Sequence, residues 1–152
     1  MKVLFIAFFF TCLTIPLIAQ DHNRQKHFNL EKGLALRGYD PVAYFRQGKA
    51  LKGKKDISAV HQSVTYYFAS SANRAEFKAN PSRFEPEYGG WCAYAMGESG
   101  EKVEVDPETF KIVDNKLYLF YNKYFNNTLK SWNKDEVRLK KNADVNWKKE
   151  FH

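Results

Sequence analysis

The chain changes character abruptly at residue 20, and that break bounds everything after it. Met1 and Lys2 lead into an almost unbroken apolar run from Val3 to Ile18. Pro16 interrupts it near its end, and Ala19-Gln20 hands over to Asp21-His22-Asn23-Arg24. A charged start, an apolar middle and a polar exit form the pattern of a cleavable export signal. The run lies at or just under the roughly 17–25 residues that a spanning helix needs. We therefore expect residues 1–20 to be a signal peptide, the protein to be periplasmic or secreted, and no stable membrane span to remain after cleavage. Cys12 lies mid-run, which does not suit a lipid-anchored cysteine at a mature N-terminus. Residues 21–33 are polar and mixed in charge and read as a flexible leader. Residues 34–152 then form one domain, long enough to bury a core of its own.

The chain has two cysteines. Removal of Cys12 with the signal leaves Cys92 alone, and one thiol cannot close an internal disulfide in an oxidising compartment. Cys92 is thus a buried filler, an intermolecular partner, a redox centre or a ligand. The net charge is +7, spread over short basic runs such as Lys140-Lys141 and Lys148-Lys149. Such runs read as a solvated surface, or as attraction to an anionic envelope or polymer surface. No nucleic-acid-binding motif is visible, so nucleic acid is not an expected partner.

Local patterns predict a small α+β domain: an antiparallel sheet with a hairpin, covered by short helices and a C-terminal helix. Leu34-Ala35-Leu36 reads as a short strand and Tyr39 to Phe45 as a turn or helix start set by Pro41. Residues 46–56 read as a loop. Val64-Thr65-Tyr66-Tyr67-Phe68 has the β-branched and aromatic density of a strand. Ser70 and Ser71 cap a helix that stops at Asn80-Pro81. Trp91 to Met96 reads as a short helix closed by Gly97, and residues 98–108 as a loop. Thr109–Val113 and Leu117–Tyr121 flank the turn residues Asp114-Asn115-Lys116 and read as a hairpin. The tail from about Tyr124 reads as helical, with Leu139, Ala143 and Trp147 four apart on its buried face.

Three segments together resemble the YHS-domain family of exported proteins. They are Gly38-Tyr39-Asp40-Pro41-Val42-Ala43-Tyr44-Phe45, Tyr66-Tyr67-Phe68-Ala69-Ser70 with Asn73, Phe77, Asn80 and Pro81, and Tyr88-Gly89-Gly90-Trp91-Cys92-Ala93-Tyr94-Ala95. The resemblance implies a small α+β domain, and its wider relatives include Cys-bearing domains thought to bind or hand over metal. This chain has Ala43, Ala69 and Ser70 where those relatives carry cysteines, so a multi-thiolate site does not carry over.

A metal site has to be argued from this chain's own residues. Cys92 and Met96 are the one Cys and the one Met beyond residue 20, spaced four apart. On a helix, that spacing puts both sulfurs on one face. Thiolate and thioether together suit a soft ion such as copper(I), with His61 as a conceivable third ligand. The competing readings are core filling and a redox thiol at a helix start. No partner cysteine exists for a CxxC oxidoreductase, and no nucleophile triad, HExxH, P-loop or GxGxxG is visible, so a non-enzymatic binding domain is the leading expectation. The alternative is a structural or protein-interaction module without metal, in which Tyr39, Asp40, Tyr44, Tyr88, Trp91 and Tyr94 line a core or a groove for a small ligand or protein partner. Asp40 is also placed to cap the turn that follows it.

Overall fold

The computed structural model describes residues 24–150; the expected signal peptide, with Cys12, lies outside the described residues. Short β1 (Leu30–Glu31) and β2 (Leu34–Ala35) lead into α1 (Pro41–Gln47), then β3 (Lys54–His61) and β4 (Val64–Phe68). Helix α2 (Ser71–Ala79) follows, then α3 (Ala93–Glu98), and β5 (Asp106–Val113) with β6 (Lys116–Phe120) as a hairpin. The last elements are the two-residue strands β7 (Asn122–Lys123) and β8 (Asn126–Asn127), α4 (Thr128–Trp132) and α5 (Glu136–Lys149). The expected α+β arrangement is present: a four-stranded sheet in the order β1-β2-β4-β3, two antiparallel hairpins, and a C-terminal helix. β2 and β4 pair in parallel; the other strand pairs are antiparallel.

Several elements follow from local chemistry. In β4, Val64, Tyr66 and Phe68 are buried while Thr65 and Tyr67 are only partly so, the period-2 signature of a half-buried strand. Asp40 caps α1, accepting from the amides of Val42 (2.8 Å) and Ala43 (3.3 Å), and Pro41 occupies the first helical position, where a missing N–H costs nothing. Ser70 Oγ accepts from the Asn73 amide to start α2. The Asp114-Asn115 turn takes positive φ at both residues, 51° and 58°, as a two-residue hairpin requires.

β6 organises the interior. Its alternate side chains feed two apolar cores: Leu117 and Leu119 join the one under the four-stranded sheet, and Tyr118 and Phe120 the one closed by α5. The second core also holds Trp132, Leu139 and Ala143, so the stripe expected on the C-terminal helix is the one that is buried.

Four expectations are corrected. Residues 24–33 are not a loose leader: residues 24–27 form a helical turn, β1 pairs with β2, and Phe28 packs on Trp147. Polar composition hid this because the segment is held by an Arg24–Glu85 ion pair and by the Asn29 amide donating to the Gly89 carbonyl, not by an apolar face. β3 begins inside the stretch read as a loop; it is a charged edge strand. Gly97 does not end α3 but lies within it, and a Cβ there would sit 2.4 Å from the Leu139 carbonyl oxygen, so close packing on α5 explains the glycine. Tyr124-Phe125 is not helical but the tip of the β7–β8 hairpin. Among the described residues no helix is long and apolar enough to cross a membrane.

Candidate functional site

Cys92 precedes α3 as its N-cap residue and is not part of the helix. Its amide donates to the Val103 carbonyl (3.0 Å) and its backbone bridges to Leu119 of β6. That placement sends its side chain to the sheet side of β6, into the first core, while Met96 one turn later joins the second. Both are completely buried. The face-sharing expected of positions 92 and 96 assumed that both were helical; the cap geometry separates them into different cores.

The Cys92 sulfur is engaged on two sides. The Tyr121 amide donates to Sγ at 3.4 Å, and Sγ lies 3.4 Å from Thr128 Oγ1. Thr128 gives its hydroxyl proton to the Tyr121 carbonyl at 2.9 Å, which leaves Oγ1 as the acceptor for the thiol proton. The bonds form a closed ring: Tyr121 N–H to sulfur, S–H to Thr128, and Thr128 O–H back to Tyr121. Neither Tyr121 nor Thr128 stands out in the sequence as a partner for a thiol, because the chain between them leaves and returns through a hairpin.

His61 ends β3, the outer strand of the four-stranded sheet, edge-on to Phe77. Cys92 bridges to β6, which belongs to a different sheet. Among the described residues no cluster of three or more His, Cys, Asp or Glu side chains is arranged to hold a metal ion.

The six residues considered for ligand binding are not gathered in one cleft. Asp40 is fully buried; besides capping α1 it accepts from the Ala69 amide (2.7 Å) and from Asn73 Nδ2 (2.7 Å), so it ties α1 to the end of β4 and to α2. Tyr44 is buried in the first core and donates to the Pro107 carbonyl; Tyr88 is buried in the second and donates to Asp144. Burial is the main cause that pushes both hydroxyls well above the ordinary tyrosine range. Trp91 Nε1 donates to the His27 carbonyl (2.6 Å), Tyr39 donates to Glu108 (2.9 Å) under the Lys52 ammonium, and Tyr94 packs against both cores.

Two surface features lie elsewhere. An open groove of about 580 Å³ runs between α5 and the β5–β6 turn, with Val113, Val137 and Val145 as its apolar lining and Lys140 and Lys141 beside them. The second is the β7–β8 tip, where Tyr124 and Phe125 stand clear of the fold, 89% and 111% exposed. A sequence signal for the tip existed in retrospect: Asn122, Asn126 and Asn127 bracket it with turn-forming residues, but two aromatics at its centre argue against a turn. No family model, no curated protein and no solved structure matches this chain.

Proposed function

We propose that this chain is an exported, non-enzymatic interaction module with an aromatic core and no resident metal. The observation that carries the reading is the hydrogen-bonded ring around Cys92. A thiol that spends its proton on Thr128 and accepts from the Tyr121 amide, fully buried, is held as a structural group. Met96 points into the other core, so the soft donor pair that would favour copper is divided. Asp40 supports the same reading, because a carboxylate that accepts from three backbone amides and one side-chain amide has little left to offer a ligand. Membership of the YHS-domain family and a site of action outside the cytoplasm belong to this proposal, and rest on the motifs from Gly38 to Ala95 and on the pattern of residues 1–20.

The test is a copper(I) titration of the protein against a competing chelator, run in parallel on Cys92→Ala. No binding above background, with Cys92→Ala less stable but still folded, is the expected result. Tight binding that disappears in Cys92→Ala would overturn the proposal in favour of a metal-binding domain.

A further inference from the structure

The Tyr124-Phe125 tip is the least economical part of the fold. Both residues take left-handed backbone, φ 52° and 64°, in a two-residue turn that favours Asn-Gly or Asp-Gly. Bulky side chains resist that conformation, and neither ring regains the cost by packing on the domain, since both are in solvent. The base of the hairpin is firmly rooted. Asn122 Nδ2 donates to Thr109 Oγ1 (2.9 Å), Asn127 caps α4 by accepting from the Leu129 amide (3.0 Å), and the Thr128 amide donates to the Tyr121 carbonyl (3.0 Å). Two apolar rings are thus held outward on a short rigid stem.

The stretch of chain that carries the hairpin is basic, and the carboxylate at the stem's base, Asp106, accepts from Asn122 Nδ2 on the side away from the tip's own residues. No Asp or Glu occurs between Asp114 and Asp135. Within that stretch Lys123, Lys130 and Lys134 are exposed, whereas the lysines ion-paired to carboxylates among the described residues are Lys102, Lys111, Lys116 and Lys140. Two rings bury roughly 150–250 Å² each, well short of the ~800 Å² per partner of a stable protein interface. They are, however, suited to the headgroup level of a bilayer, where aromatic rings settle and nearby lysines are drawn to anionic lipid.

We infer that the Tyr124-Phe125 tip inserts into the headgroup region of an anionic phospholipid bilayer, with Lys123, Lys130 and Lys134 facing the lipid phosphates. The inference rests on the interaction-module reading and names the surface that such a module meets. The experiment uses the full chain carrying Phe125→Trp, read as a difference from the parent, on vesicles of phosphatidylcholine with phosphatidylglycerol and on phosphatidylcholine alone. A reporter at residue 125 reads the tip and not the apolar run at residues 3–18. On the anionic vesicles its emission moves to the blue and is quenched by brominated acyl chains, and added salt reverses both effects. Tyr124→Ser with Phe125→Ser weakens partitioning at least about tenfold while the thermal melt stays cooperative. Unshifted emission on vesicle-bound protein, equal partitioning of the double variant, or protein that stays in the supernatant, as for a tip made to fill a protein pocket, would each sink the inference. The copper titration is untouched by any of these outcomes, so the two readings fail separately.

Discussion

Cys92 Sγ and Thr128 Oγ1 lie 3.4 Å apart, and this contact joins the start of α3 to the base of the β7–β8 hairpin. Removing the sulfur leaves the Tyr121 amide and the Thr128 hydroxyl oxygen short of a partner in a dry site. Cys92→Ala should cost about 1–3 kcal/mol of stability, read from chemical denaturation. In the native protein Cys92 should react with a thiol reagent far more slowly than in denaturant, since it is fully buried.

Asp40 ties α1, β4 and α2 together through four donors. Asp40→Ala strands four donors, on Val42, Ala43, Ala69 and Asn73. We expect a loss of about 3 kcal/mol or more, because each unsatisfied buried donor costs roughly 1–3 kcal/mol before any relaxation. Asp40→Asn should recover only part of it, since its NH2 group would face donors. A ligand-binding carboxylate on the surface would instead leave the melting temperature almost unchanged when replaced.

Gly97 lies where α3 packs tightly on the backbone of α5. A Cβ at this position would also lie 2.9 Å from the Leu139 carbonyl carbon, which is backbone and cannot swing aside. Gly97→Ala should therefore destabilise by about 1–3 kcal/mol as the helices are pushed apart, even though alanine is the better helix former. Calorimetry on the variant decides which effect wins.

The buried tyrosines should lower stability in alkali. Burial, then the nearby Glu87 carboxylate, pushes the Tyr118 hydroxyl up from 10.0 to about 12. Tyr44, Tyr66 and Tyr88 move in the same direction, with burial the leading cause in each. A group whose pKa is raised by folding stabilises fully below its unfolded pKa and loses that contribution as pH rises through the folded one. Stability should thus hold to about pH 10 and fall as pH rises to about 12. Denaturation curves across this range, with tyrosinate absorbance recorded alongside, check the sign.

The hairpin tip should respond in the opposite sense. Replacing Tyr124-Phe125 by Asn-Gly gives both left-handed positions residues that tolerate them and removes no packing, so we expect a gain of about 1 kcal/mol. A loss of stability in this double variant would mean that the rings contribute to the fold after all.

The two halves of this structure differ in how openly the sequence announces them. β4, α2 and the β5–β6 hairpin were legible because each carries its own signal: β-branched and aromatic density, a serine cap, and Asp-Asn at the turn. The buried stripe of α5 was legible from the spacing of Leu139, Ala143 and Trp147. What escaped depends on partners distant in the chain. The segment from Arg24 to Glu31 is held by Glu85, Gly89 and Trp147, none of which its own composition reveals. The separation of Cys92 from Met96 turned on a single residue of helix boundary, the least certain part of any local pattern.

Gly89 has a practical consequence for anyone reshaping the molecule. Phe28 and Trp147 meet over it so closely that a Cβ there would lie 2.8 Å from each ring. The first and last turns of the described body are therefore neighbours. A short bridge joining them, with the chain reopened between Asp114 and Asn115, would yield a circularly permuted protein with the same interior.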